Sequence, residues 1–217
     1  MIFMHPDPLQ FIDDLLDDLR PTRPLTLQRG LVIASGSAAA AIAVMALFIG
    51  IRPTLIAGSL DPLFLLASGL FLMLGIAASF TVIGMSRPQV GNTHIGWIWA
   101  VAMAALLPLT AVVLGFANQG DAFFNSQPAQ GMNCLLNGSL LGLIVGAALT
   151  MWLHRGAPTS PEQAGLLTGI AAGSLGIFAY SLHCPYDGIY HIGLWHSMTV
   201  VVSAIAGRVV VPALIRW

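Results

Sequence analysis

The sequence contains no lysine, and charged residues of all kinds make up only 8% of its 217 positions. Soluble domains carry about 25% charged residues, so this scarcity excludes an ordinary soluble protein. Hydrophobic residues instead make up 57% of the chain, and the mean hydropathy is +0.84. Such a composition is typical of an integral membrane protein. The first 29 residues are acidic and polar, which argues against a cleaved signal peptide, and we expect the first apolar segment to stay in place as an anchor.

Six long apolar runs account for most of the chain. They lie at residues 30–51, 62–84, 94–117, 132–153, 163–182 and 193–214. Each is close to the ~20 residues that a helix needs to cross a bilayer, and unpaired backbone groups are not tolerated there. We therefore predict an all-α, polytopic membrane protein, a bundle of six transmembrane helices. The chain divides into a cytoplasmic segment, residues 1–29, and a transmembrane domain, residues 30–217.

The arginines predict the orientation of this bundle. If the six runs alternate in direction, seven of the eight arginines fall on one side, namely Arg20, Arg23, Arg29, Arg87, Arg155, Arg208 and Arg216. Only Arg52 falls on the other side. Because cytoplasmic loops carry the excess of positive charge, we expect both termini in the cytoplasm of a bacterium and the protein in its inner membrane.

A short amphipathic helix is predicted before the first run. Its apolar stripe comprises Phe11, Ile12, Leu15, Leu16 and Leu19, and its opposite face carries Asp13, Asp14, Asp17 and Asp18. Such a helix can pack on its own bundle or dock into a groove of a partner protein. Binding to the membrane surface is disfavoured, since anionic lipids repel aspartate. We favour docking, with the stripe and the acidic residues Asp13 and Asp17 forming the contact and a basic protein as partner.

Both cysteines, Cys134 and Cys184, fall at the predicted outer ends of neighbouring spans, and His183, His191 and His196 lie close to Cys184 in the sequence. An oxidising periplasm would permit a disulfide between them. Thiolate and imidazole groups would equally suit a soft metal such as zinc, copper(I) or cadmium, although the spacing matches no standard zinc motif. The third interpretation is a buried cysteine with histidines facing water at the interface. We expect the cysteines to act as one unit, with His183 as the first candidate for a third participant.

Enzymatic and transport chemistry find little support. No G-x-S-x-G or H-E-x-x-H pattern occurs, and the middles of the apolar runs lack the ionisable groups that transporters usually carry. Two glycine stripes instead predict close helix packing: Gly138, Gly142 and Gly146, and Gly165, Gly169 and Gly173. We predict that the protein is not an enzyme. The alternative is a small transporter or an intramembrane enzyme whose site is built from backbone groups.

Several short motifs resemble those of the NrsF family of bacterial inner-membrane anti-sigma factors. They are LLDDLRP at 15–21, GIRP at 50–53, RGAP at 155–158 and LHCP at 182–185, followed by Asp187, Trp195 and His196. Cys134 matches the second cysteine of the family, and the resemblance covers essentially the whole length. Tyr186 departs from the pattern, because a more polar and often acidic residue is expected there.

This resemblance implies a function. It implies six spans and a cytoplasmic N-terminal segment that holds an extracytoplasmic-function sigma factor inactive, without direct binding of nucleic acid. It also implies that the cysteine pair senses heavy-metal or oxidative stress. The resemblance specifies neither the particular sigma factor nor the inducer, and the oligomeric state stays open.

Overall fold

The computed structural model describes residues 12–13, 16–17, 25–87, 96–117 and 126–216. All regular structure in these residues is helical, with no strand among them, as predicted. The helices are α1 (Leu27–Phe48), α2 (Pro53–Ile56), α3 (Pro62–Met85), α4 (Gly96–Ala117), α5 (Pro128–His154), α6 (Pro161–Ser181) and α7 (Ile189–Ile215). A π-helical turn, Ile192–His196, interrupts the first part of α7.

Five of these helices have the length and composition of membrane spans. They are α1, α3, α5, α6 and α7. Large apolar side chains cover the outside of the bundle, and Leu47 and Phe48 near the end of α1 are more than 80% exposed. Exposed apolar surface of this extent is unfavourable in water and suited to lipid. Five of the six predicted spans are thus confirmed by length and composition. The remaining run coincides with α4, and its place as a sixth span stays a prediction.

The helices begin where the sequence supplies local start signals. Pro62, Pro128 and Pro161 each occupy the first turn of a long helix, where a missing N–H costs nothing. The Asp61 carboxylate accepts a hydrogen bond from the Leu63 N–H at 2.7 Å and caps α3.

Helix α6 lies at the centre of the bundle and packs most extensively on α7, α5 and α3. The predicted glycine stripes form these contacts. A Cβ atom on Gly142 of α5 would lie 2.6 Å from the Ala172 carbonyl oxygen, and one on Gly169 of α6 would overlap the Ser203 carbonyl oxygen of α7. Both stripes therefore serve close packing, as predicted. Two further glycines complete these contacts: Gly176 of α6 faces the stripe of α5, and Gly207 of α7 faces the stripe of α6. The sequence pattern did not indicate either of them.

The two ends of the bundle differ in their residues. At the arginine end, defined by Arg29, Arg87, Arg155 and Arg208, the loop after α5 contacts the end of α3 through an Ala157 N–H bond to the Ser86 carbonyl oxygen at 3.0 Å. The cysteine end, defined by Arg52, Cys134, Cys184, His191 and His196, lies opposite. This arrangement agrees with the predicted alternation of the spans. The orientation of the bundle in the cell stays a prediction.

Candidate functional site

Three segments bring two cysteine and two histidine side chains together at the cysteine end. Cys134 lies in the second turn of α5, and Cys184 lies just beyond the end of α6. His191 and His196 come from the start of α7. All four side chains are buried, and their donor atoms all lie within 4.8 Å of one another. The site thus brings together residues that are up to 62 positions apart in the chain, where α5, α6 and α7 meet.

The two thiols are free and close together. Their sulfur atoms are 3.5 Å apart, well beyond the ~2.05 Å of a disulfide bond. The His191 Nε2 atom lies 3.3 Å from the Cys134 sulfur and 3.5 Å from the Cys184 sulfur. The expectation that the two cysteines meet is therefore confirmed. The structure adds a histidine that contacts both of them.

A hydrogen bond outside the cluster orients His191. Its Nδ1 atom lies 2.9 Å from the Ser126 backbone carbonyl oxygen, which can only accept. This assigns the proton of a neutral imidazole to Nδ1 and leaves the lone pair of Nε2 facing the two sulfurs. Metal-binding histidines are held in this way, with the second ring nitrogen donating to a carbonyl or carboxylate.

The π-helical turn aligns the second histidine with the first. In an α-helix of 3.6 residues per turn, positions five apart lie about 140° apart around the axis. In the turn Ile192–His196, the Ser197 N–H bonds instead to the Ile192 carbonyl oxygen, which brings positions five apart onto one face. The rings of His191 and His196 are accordingly 5.4 Å apart. The His196 Nε2 atom is buried, and no described residue forms a hydrogen bond with it.

The surroundings favour a thiolate at Cys184. The hydrogen bond with the Cys134 thiol lowers the pKa of Cys184 most, whereas burial acts in the opposite direction. A thiolate is the form that binds metal ions and attacks disulfides. A thiolate at Cys184, held by a hydrogen bond from the Cys134 thiol, would be suited to binding a cation.

Arg52 secures the loop that carries Cys184. Its guanidinium donates to both carboxylate oxygens of Asp187, at 2.8 and 2.6 Å, and to the Cys184 backbone carbonyl at 3.0 Å. The guanidinium also lies 4.5 Å from the centre of the Phe64 ring. The hydrogen bond with Asp187 raises the pKa of Arg52 despite its burial. Sequence analysis did not identify this role, although Arg52 stood out as the one arginine on the opposite side.

His183 does not join the cluster. Its Nδ1 atom lies 2.9 Å from the Gly50 carbonyl oxygen, toward the end of α1. The N–H groups of His183 and Cys184 both bond to the Tyr180 carbonyl oxygen, so that a tight turn directs successive side chains differently. His191 and His196, the candidates of second rank, occupy the positions beside the sulfurs instead.

The predicted docking helix is described at four of its positions. Ile12, Asp13, Leu16 and Asp17 are helical and exposed. Half or more of the Ile12 and Leu16 side chains is accessible, so these two apolar residues are not packed against the bundle. The other predicted contact residues, Phe11, Leu15 and Leu19, lie outside the described residues.

Comparison with known proteins gives consistent matches along the chain. The family model described as "Negative regulator of sigma F" (NrsF) matches residues 15–217. The anti-sigma-F factor NrsF of Caulobacter vibrioides is 30% identical over 222 aligned positions, which cover 94% of this chain and 99% of that protein. The probable anti-sigma-F factor NrsF of Azospira oryzae is 28% identical over 201 positions, covering 89% and 91% respectively. No solved structure matches the chain significantly.

Proposed function

Because the chain belongs to the NrsF family of negative regulators of sigma F, we propose that it is a membrane-bound anti-sigma factor that holds a sigma factor inactive at the bacterial inner membrane. The family match along residues 15–217 is the observation that carries this proposal. The partner is a sigma factor of the extracytoplasmic-function class. The proposal includes α4 as the sixth span and places both termini in the cytoplasm.

The N-terminal helix is the docking element in this proposal. The exposed side chains of Ile12 and Leu16 would enter an apolar groove of the sigma factor. A sigma factor binds DNA and therefore presents basic surfaces, which Asp13 and Asp17 would attract. Exposed charges of this kind mainly accelerate association, whereas the buried apolar contacts hold the complex together.

Release of the partner is controlled at the cysteine end. We propose that Cys134, Cys184, His191 and His196 bind a soft divalent cation such as Cd²⁺ or Zn²⁺ as the signal. In a tetrahedral site with two sulfur and two nitrogen ligands, the donor atoms are about 3.4–3.8 Å apart. The four donor atoms lie within 4.8 Å of one another, so that a contraction of about 1 Å would complete the site.

The donor set distinguishes this signal from thiol oxidation. Oxidation would join the two sulfurs and give up two electrons and two protons to an oxidant, and it would leave both histidines without a role. Binding of a cation would use the Nε2 lone pair of His191, which already faces the two sulfurs, and the Nε2 atom of His196, which is buried in the same cluster. The presence of two imidazole nitrogen atoms beside two thiols supports a metal as the inducer.

The free energies allow such a switch. Shifting partner occupancy from 99:1 to 1:99 requires about 5.5 kcal/mol of differential binding. Structural zinc sites release about 10–16 kcal/mol when they form. A cation that binds the released state in preference to the holding state can therefore supply the difference. A weakly bound neutral molecule could not.

The experiment that tests the proposed function measures retention of the sigma factor by membranes that contain this protein. Leu16→Asp should lower the retained fraction at least about tenfold, because a charge cannot enter an apolar groove. Gln28→Asp is the matched control, since it adds the same charge at an exposed position outside the stripe. Equal amounts of each variant in the membrane must be verified. Full retention by Leu16→Asp would reject docking through this helix.

A further inference from the structure

Arg52 joins the cysteine end to the first spanning helix. Among the described residues, it is the buried side chain with a permanent charge, and only 4% of it is accessible. Three of its four side-chain hydrogen bonds go to the segment that carries Cys184, two to the Asp187 carboxylate and one to the Cys184 carbonyl oxygen, and the fourth goes to the Thr54 hydroxyl at 2.7 Å. A guanidinium presents a rigid planar fork that can hold several acceptors at fixed positions.

The backbone on both sides of Arg52 is tied to the same segment. The Arg52 N–H donates to the Leu182 carbonyl oxygen at 3.0 Å. The Gly50 carbonyl oxygen lies 2.9 Å from the His183 ring nitrogen. Residues 50–52 and 182–187 are thus connected by both backbone and side-chain hydrogen bonds.

Residues 50–52 continue directly from α1. The N–H groups of Ile49 and Gly50 both bond to the Met45 carbonyl oxygen, and Gly50 turns the chain with a positive φ of 95°. Met45 is fully buried, which fixes this end of the helix in the bundle. Helix α1 has 22 residues, about 33 Å in length, and its other end leads toward the N-terminal helix.

We infer that Arg52 is the positioning residue that couples the cluster of Cys134, Cys184, His191 and His196 to α1. This inference rests on the proposed function and adds the route by which the signal leaves the site. When a cation draws the Cys184 sulfur toward the other ligands, the loop moves with it. Because Arg52 holds both the Cys184 carbonyl and the Asp187 carboxylate, this displacement reaches the end of α1 instead of being absorbed within the loop.

Thermodynamic linkage provides a test that a merely structural role would not satisfy. If cation and sigma factor oppose each other, each weakens the binding of the other by the same factor. Cd²⁺ affinity would be measured for the full-length protein in lipid nanodiscs, with and without saturating sigma factor. We expect the native protein to bind Cd²⁺ about 10⁴-fold more weakly when the sigma factor is present, because a shift of partner occupancy from 99:1 to 1:99 requires that factor. In Arg52→Gln this ratio should fall below about twofold, whatever happens to the absolute affinities.

Arg52→Lys provides a second variant that retains the positive charge. A single ammonium group cannot replace the fork that reaches Asp187 and Cys184 together, so the ratio should again fall below about threefold. This variant decides the question if Arg52→Gln does not accumulate. Arg208→Gln removes the corresponding group from the exposed ion pair with Glu162 at the arginine end, and it should retain the native ratio.

The outcomes separate the inference from the proposed function. A native ratio near one would reject release by the cation, and with it the proposed function of the cluster. A native ratio of about 10⁴ that persists in Arg52→Lys and Arg52→Gln would overturn the role of Arg52 alone. A ratio of Cd²⁺ affinities near one in both Arg52 variants, together with the native ratio in Arg208→Gln, would establish Arg52 as the coupling residue.

Discussion

The cysteine end and the arginine end of the bundle are held together by different interactions. At the cysteine end, buried polar side chains contact one another, and the Arg52–Asp187 pair is 2.6 Å long with the arginine almost inaccessible. Toward the arginine end, glycine backbones of α6 and α7 touch, and the Arg208–Glu162 pair is 3.5 Å long with both side chains more than half exposed. Close backbone contact between helices is thus found toward the arginine end, beside hydrogen bonds such as that of Ala157 with Ser86, whereas a buried network of polar side chains is found at the cysteine end.

This difference indicates which end can respond to a signal. Helices in contact through glycine backbones have little space to shift, since packed interiors transmit displacement and do not absorb it. Polar groups with defined partners can exchange those partners when a cation arrives. We therefore expect the cysteine end to rearrange and the α6–α7 contact to move as a rigid unit. Substitutions at the two ends should accordingly have different consequences.

The largest expected effect is the loss of cation binding at the cysteine end. Cys184→Ser should weaken Cd²⁺ binding at least about 100-fold, because a hydroxyl is a poor ligand for soft cations. This loss is larger than that expected for substitution of a residue that only supports a ligand. Cys134→Ser should weaken Cd²⁺ binding to the same extent. Cation-induced release of the sigma factor should be no more impaired in the double variant than in either single variant. The measurement is cadmium–thiolate absorption of the purified protein, together with release from membranes.

His183→Gln is the matched control for these variants. His183 is adjacent to Cys184 in the sequence, but its side chain contacts Gly50 and lies outside the cluster. Its substitution should leave Cd²⁺ affinity within about threefold of the native value, whereas His191→Gln should not. Additive effects of the two cysteine substitutions on release, or a loss of affinity in His183→Gln as large as in Cys184→Ser, would contradict the four-residue site.

The sequence predicted the two cysteines of this site but ranked the histidines wrongly. The length of an apolar run depends on local composition, and it identifies the spanning helices. Once the spans are known, their alternating direction places Cys134 and Cys184 at the same end of the bundle. The choice between His183 and His191 depends on a tight turn after α6 and on a π-helical turn in α7. Neither turn has a recognisable sequence signal. The spacing of five between His191 and His196 suggests opposite faces when an α-helix is assumed.

The contact of Arg52 with Asp187 and the pairing of the helices could not be predicted from the sequence for another reason. The arginine count marked Arg52 as an exception, and Asp187 belonged to a quoted motif, but their contact joins residues 135 positions apart. Likewise, the glycine stripes predicted close packing without indicating that α5 contacts α6 at Ala172 or that α6 contacts α7 at Ser203. Long-range partners depend on the assembled bundle and not on local pattern.

An intermediate effect is expected for the glycine contact between α6 and α7. A methyl group on Gly169 would overlap the Ser203 carbonyl oxygen, and backbone cannot move aside as a flexible side chain can. Gly169→Ala should therefore destabilise the protein by about 1–3 kcal/mol. In Gly69→Ala of α3, an added Cβ meets no atom within 4 Å, and the better helix propensity should stabilise by about 0.5–1 kcal/mol. Thermal unfolding in detergent, followed by helical circular dichroism, measures both, and equal effects of the two variants would contradict backbone packing as the organising contact.

The smallest effect is expected for the ion pair at the arginine end. Arg208 and Glu162 are 55% and 65% exposed, and their charged atoms are 3.5 Å apart. Exposed pairs of this kind contribute about 0–1 kcal/mol, because water screens the charges and the side chains lose freedom when they associate. Arg208→Gln should therefore shift the unfolding midpoint little, and raising the salt concentration should remove the remaining difference. A destabilisation as large as that of Gly169→Ala would show that this pair, and not the glycine backbone alone, holds α6 and α7 together at the arginine end.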